Sequence, residues 1–110
     1  MKLPNCEQAY IPDPKLADYL LAETHPTGRL KSKFFKELGF SRSNRKELEK
    51  QLLHIAHTSP VMSVVASPHG EKFIIDGALR TPQGTRAAVR TVWIIDTGAH
   101  RPRFVTAYPL

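Results

Sequence analysis

Pro60 divides this chain into two kinds of pattern, and that division constrains its fold more than any other feature. Before it, apolar residues recur at helical spacing: Leu16, Tyr19 and Leu20, then Phe34, Phe35 and Leu38, then Leu48, Leu52, Ile55 and Ala56. After it, β-branched and aromatic residues gather in short runs separated by Pro68-His69-Gly70, Thr81-Pro82-Gln83-Gly84 and a loop over 97–102. Helices followed by strands do not make βαβ units, so the pattern points away from parallel sheets and toward a layered α+β fold. Short turns between successive strands favour an antiparallel meander.

The expected architecture is therefore α+β, with three N-terminal helices packed on one face of a four-stranded antiparallel meander sheet. Residues 1–12 read as an extended arm, 13–58 as the helical part and 61–108 as the sheet, within a single domain spanning 1–110. Asp13-Pro14 opens the first helix, which is expected to end near Glu23 before a turn at His25-Pro26-Thr27-Gly28. The second runs from about Leu30 to Leu38 and stops at Gly39, a natural residue for a left-handed helix end. Asn44 with Glu47 three residues on reads as the start of the third, which ends near Thr58. The strands are expected over 61–67, 73–79, 85–96 and 103–108.

Composition narrows the class of protein. One cysteine among 110 residues excludes an internal disulfide framework and a multi-cysteine zinc site. No apolar run approaches the length of a membrane span, and the N-terminus lacks a basic-then-apolar leader, so a cytoplasmic location is the expectation. Sixteen basic and ten acidic residues leave a net charge of +6, and the segment from Arg29 to Lys50 carries five of those charges. A concentrated positive surface attracts polyanions, nucleic acid first and an acidic protein partner second. Lys33, Lys36, Arg45 and Lys46 are the expected phosphate contacts. A solvated helix face with no partner gives the same pattern.

Lys31 shares spacing with Phe34, Phe35 and Leu38, on the inward stripe, and sits in a first turn where the helix dipole disfavours a cation. It either holds a phosphate or stabilises a developing anion, or it snorkels its ammonium to water. His25, six residues earlier in a turn, has the chemistry of a general acid or base near neutral pH. Simple alternation puts Phe104, Thr106 and Tyr108 on one face of the last strand, and Arg90 near Thr91 and Trp93 on the third. Such a surface suits RNA bases and phosphates, with Trp93 as a stacking platform, unless the aromatic rings belong to the core. His54 and His57 fall on one face of a helix, yet spacing offers no third ligand, so no metal or other cofactor is expected.

The strings YLLAETHPTGRLKSKFFKELGF, SPHGEKFIIDGALRTPQG, VRTVWIID and RPRFVTAYP resemble a bacterial domain family found as short stand-alone proteins and at the C-termini of large polymorphic toxins. The resemblance covers roughly residues 5–109. The helices-then-meander order, with a final strand ending in Thr-Ala-Tyr, is similar to the barnase–EndoU–colicin–RelE ribonuclease-toxin fold. That likeness implies RNA cleavage without a metal, with the 2′-hydroxyl as nucleophile. It implies roles for His25 as general base, for Lys31 and Arg90 in stabilising the phosphorane, and for Thr106 and Tyr108 in positioning the phosphate. The alternative is a non-enzymatic module whose basic face holds an acidic partner, such as an immunity-type protein.

Overall fold

In the computed structural model, the structure describes residues 1–22 and 29–110, with side chains from Ser32 onward in the second stretch. Its strand half follows the punctuation of the sequence. Strands β1 (Ser63–Ser67), β2 (Gly70–Arg80), β3 (Arg86–Asp96) and β4 (Arg103–Pro109) form one sheet in the order β1-β2-β3-β4, antiparallel throughout. The β1–β2 connection is tight because Gly70 has φ 147, a conformation that side chains rarely tolerate. A Cβ there would also overlap the Ile95 carbonyl on β3.

The helical half departs from expectation. Its longest helix is mid-chain: α3 (Arg45–Thr58), preceded by α2 (Arg29–Glu37) and by a short α1 (Asp13–Lys15). So three regular helices do not stack at the N-terminus. The apolar stripe read as one helix over 13–23 is α1 continued by a π-helical turn, Leu16–Leu20, closed by the Leu21 N–H on the Leu16 carbonyl at 3.0 Å. The wider turn brings Leu16, Leu20 and Leu21, all fully buried, to the core side together. The expected turn at 25–28 lies outside the described residues.

Gly39 ends α2 as its position requires, at φ 99, with its own N–H on Lys36 and the Phe40 N–H on Phe35. The start of α3 differs from the expected cap. A 3₁₀ turn, Arg42–Asn44, comes first. Asn44 reaches backward, its Oδ1 accepting the Ser41 N–H at 2.6 Å and its Nδ2 donating to the Gly39 carbonyl at 3.0 Å. The amide thus joins the end of α2 to the start of α3 instead of capping the helix.

Phe73, Ile75, Leu79, Val89, Trp93, Phe104 and Ala107 form the inner face of the sheet and pack with Leu48, Leu52, Ile55, Phe35 and Phe40. Gly77 lets α3 come close, since a Cβ there would lie 2.9 Å from two carbons of Ile55. The N-terminal arm belongs to this core: Leu3 and Ile11 are buried, and a 3₁₀ turn, Cys6–Gln8, interrupts its extended course. Tyr10 bridges in parallel to Arg103 and covers the outer edge of β4. At the other edge, Val64 and Val65 of β1 are exposed.

Candidate functional site

The outer face of the sheet is built by cross-strand register. Asp76 on β2 pairs with Arg90 on β3, which pairs with Tyr108 on β4. Arg90 donates from Nε and Nη2 to the two carboxylate oxygens of Asp76 at 2.8 and 3.0 Å, and it also hydrogen-bonds Tyr108. The bond from Arg90 holds the Asp76 carboxyl below the usual carboxylate range, although partial burial works the other way. Asp76 and Tyr108 in turn raise the Arg90 pKa further, so the guanidinium is a fixed cation with a defined orientation.

Thr106 shares this face with Tyr108 by simple alternation, and one extra residue in β4 sends Phe104 to the other. Val92 pairs with Thr106 but Trp93 pairs with Phe104, so Val105 bulges out of the ladder. The bulge corrects the simple alternation: Phe104 is fully buried in the core, while Thr106 and Tyr108 point to the opposite side, half-buried. The Thr106 Oγ1 lies 3.1 Å from the Tyr19 hydroxyl. Asp76 and Tyr19 were not among the expected site residues. Asp76 carried one signal, an acid in the midst of the otherwise apolar stretch 73–79.

Trp93 requires a correction. It is fully buried, its ring meets Phe104 edge to face at 5.3 Å between centroids, and its Nε1 donates to Thr91 Oγ1 at 2.9 Å. No face of the indole is open to a base. His25 lies outside the described residues. Lys31 is in the first turn of α2, a helix that packs beside β4, and its side chain lies outside the described residues too.

The expected phosphate contacts separate. Lys33 is exposed on α2, and Lys36 is half-buried with a partner of its own. Arg45 is committed to Asp13, 2.9 Å away, and to the Arg42 carbonyl. Lys46 stands at the rim of an open groove of about 730 Å³ between α3 and the β2–β3 hairpin. Lys50, His54, His57, Arg80 and Arg86 line the same groove. The readable signal for it was Lys46, Lys50 and His54 at intervals of four, and an arginine on each side of the hairpin turn. Among the described residues, no group of three or more His, Cys, Asp or Glu is placed to hold a metal ion. No helix among them is long and apolar enough to cross a membrane.

A fixed guanidinium flanked by hydroxyls on an open sheet face is suited to a tetrahedral oxyanion. The whole arrangement of helices and meander is one already seen in a solved assembly, the contact-dependent growth inhibition toxin–immunity protein complex from Klebsiella pneumoniae 342. One chain of that complex superposes with a TM-score of 0.74, covering 94% of this chain and 95% of that chain at 14% identity, a likeness of fold. At the level of sequence the chain belongs to the family described as domain of unknown function DUF6883, matched over residues 2–110. No curated protein matches it.

Proposed function

We propose that this chain is a toxin-type module that binds RNA and cleaves it without a metal, at the sheet face carrying Arg90, Thr106 and Tyr108. The observation that supports this reading most is the Asp76–Arg90–Tyr108 row, which presents a pre-oriented cation and a phenol beside the Thr106 hydroxyl. In this reading Lys31, on the helix α2 that packs beside β4, joins that row, with His25 as general base. In the proposed reaction the 2′-hydroxyl loses its proton to His25 as the O2′–phosphorus bond forms. The phosphorus–O5′ bond breaks, and the leaving oxygen takes up a proton from solvent water. Products are a 2′,3′-cyclic phosphate and a 5′-hydroxyl end. Lys31 and Arg90 offset the charge that develops on the phosphorane oxygens.

Incubation of total RNA with the full chain and a chelator tests the reading. Cut products with cyclic phosphate ends are expected, and Lys31→Met should lower the rate by about 10²-fold or more. Intact RNA at high protein concentration would remove the cleavage step. The second reading would then stand: a binding module for an acidic immunity-type partner, favoured by the fold shared with a chain of a toxin–immunity complex.

A further inference from the structure

We infer that the groove between α3 and the β2–β3 hairpin is a second binding site, which grips the phosphodiester backbone of RNA beyond the sheet face. The inference rests on the reading above that RNA is the ligand.

The groove gathers basic side chains that, Lys46 aside, have no acidic partner among the described residues. Arg42, Arg45, Arg90 and Arg103 are each paired with an aspartate, and Arg101 lies over the Tyr10 ring and donates to the Gln8 carbonyl. The guanidinium groups of Arg80 and Arg86, the Lys50 ammonium and the His54 and His57 rings have no such partner among the described residues. All five line the groove. Its single acid, Glu49, is taken up by Lys46 at 3.5 Å.

The placement also opposes folding. Arg80 and Arg86 are direct cross-strand partners, and like charges in that relation destabilise a sheet. Lys46 and Lys50 stand at i and i+4 on α3, where like charges again repel. A phosphodiester between the helix and the hairpin would relieve both repulsions at once. Arginine forks match phosphate oxygens in pairs, and the His54 and His57 imidazoles, which line the groove with Leu53 and Ala78, offer bases rings to stack on. The slot is concave and lined mostly by basic side chains, which fits a single nucleic-acid strand better than the convex surface of a folded acidic protein.

Its position is continuous with the sheet face. Ala78 pairs with Ala88, both exposed, between the Arg80–Arg86 pair and the Asp76–Arg90 pair. Those two charged rows are four residues apart along β2, about 13 Å. A strand of RNA leaving Arg90 would therefore cross two alanines, with no bulky side chain from that pair in its way, and enter the groove.

The test uses a fluorescein-labelled 2′-O-methyl oligoribonucleotide, whose blocked 2′-oxygens separate binding from cleavage. Its affinity for the full chain is read by anisotropy over a salt series, with circular dichroism melts confirming folding. Arg80→Gln with Arg86→Gln should weaken binding about tenfold and flatten the log–log salt slope by about 1.4, the share of two single-strand phosphates. Arg42→Gln with Arg101→Gln removes the same charge away from the groove and should shift affinity less than about twofold. Equal losses in the two double variants would overturn the inference, because net charge alone would then explain them. It would also fall if the groove variant bound this RNA normally but lost a labelled polyglutamate peptide, which would mark a protein-binding site. Groove-dependent binding with no cut product from unmodified RNA would keep the groove and remove the cleavage reading. Groove-independent binding with cleavage would do the reverse.

Discussion

Single side chains fix the two faces of the sheet by different chemistry. Inside, the Thr91 hydroxyl donates to the Ile75 carbonyl at 2.8 Å and accepts from the Trp93 indole. Thr91→Val keeps the shape but strands the buried Nε1–H, so it should cost about 1–3 kcal/mol in urea unfolding. Adding Trp93→Phe should return little of that loss, since it opens a cavity of its own. Outside, the carboxyls of Asp76 and Asp96 are held below their ordinary range by hydrogen bonds from Arg90 and Arg103. A carboxyl lowered on folding stabilises above its unfolded pKa of about 4, and that gain disappears as pH falls through the folded value. Asp76→Asn should therefore lower the urea midpoint at pH 7, and the gap to the parent chain should close as pH falls through the folded value of Asp76. A gap independent of pH would show that Asp76 acts through packing alone. Neither role was readable beforehand. An Arg in a strand shows no sign of which acid will face it, and a Trp has the same apolar spacing whether it stacks on a ligand or in a core.

At the scale of elements, the strands were legible because β-branched runs and Pro-Gly turns are local signals. All four appear within a few residues of their expected bounds, in the expected antiparallel order. The helices were legible in number of segments but not in kind. The π-helical turn at Leu16–Leu20 is imposed by three leucines competing for one core, which is a tertiary demand. The bulge at Val105 left no trace either, since nothing in Phe-Val-Thr marks an unpaired residue. Gly77 is the opposite case, a strand glycine whose use is plain only in the fold. Gly77→Ala should cost about 1–3 kcal/mol by overpacking against Ile55. Ile55→Val in the same chain should recover part of it, so the double variant should be less destabilised than the two single losses added together. Simple additivity would show that the contact at Gly77 is not the cause.

At the scale of the whole molecule, the basic segment of the sequence does not become one basic face. Arg42 and Arg45 pair with Asp18 and Asp13 at the surface, while Lys46 and Lys50 line a groove with Arg80 and Arg86 from a distant part of the chain. Only the fold brings those last four together, which is why the groove could not be read from charge runs. The arm has a similarly long reach. Met1 accepts the Val61 N–H at 2.7 Å, Leu3 is buried in the core, and Tyr10 closes the edge of β4. Leu3→Ala should therefore cost about 2–5 kcal/mol, a value typical of a core leucine rather than of a terminal tail. A loss below about 0.5 kcal/mol, in the range of surface changes, would show that the arm merely rests on the surface.

The bulge sorts codon deletions in β4 into two kinds. Val105 is half-exposed and pairs with nothing on β3, so most missense changes there should pass. Loss of its codon in frame should pass as well. The extra residue would go, leaving Phe104 opposite Trp93 and Thr106 opposite Val92 on the faces they already hold, with Tyr108 still beside Arg90. A library that scores substitutions and codon deletions separately should find Val105 permissive to both, and Ala107, a buried residue opposite Thr91, intolerant of deletion.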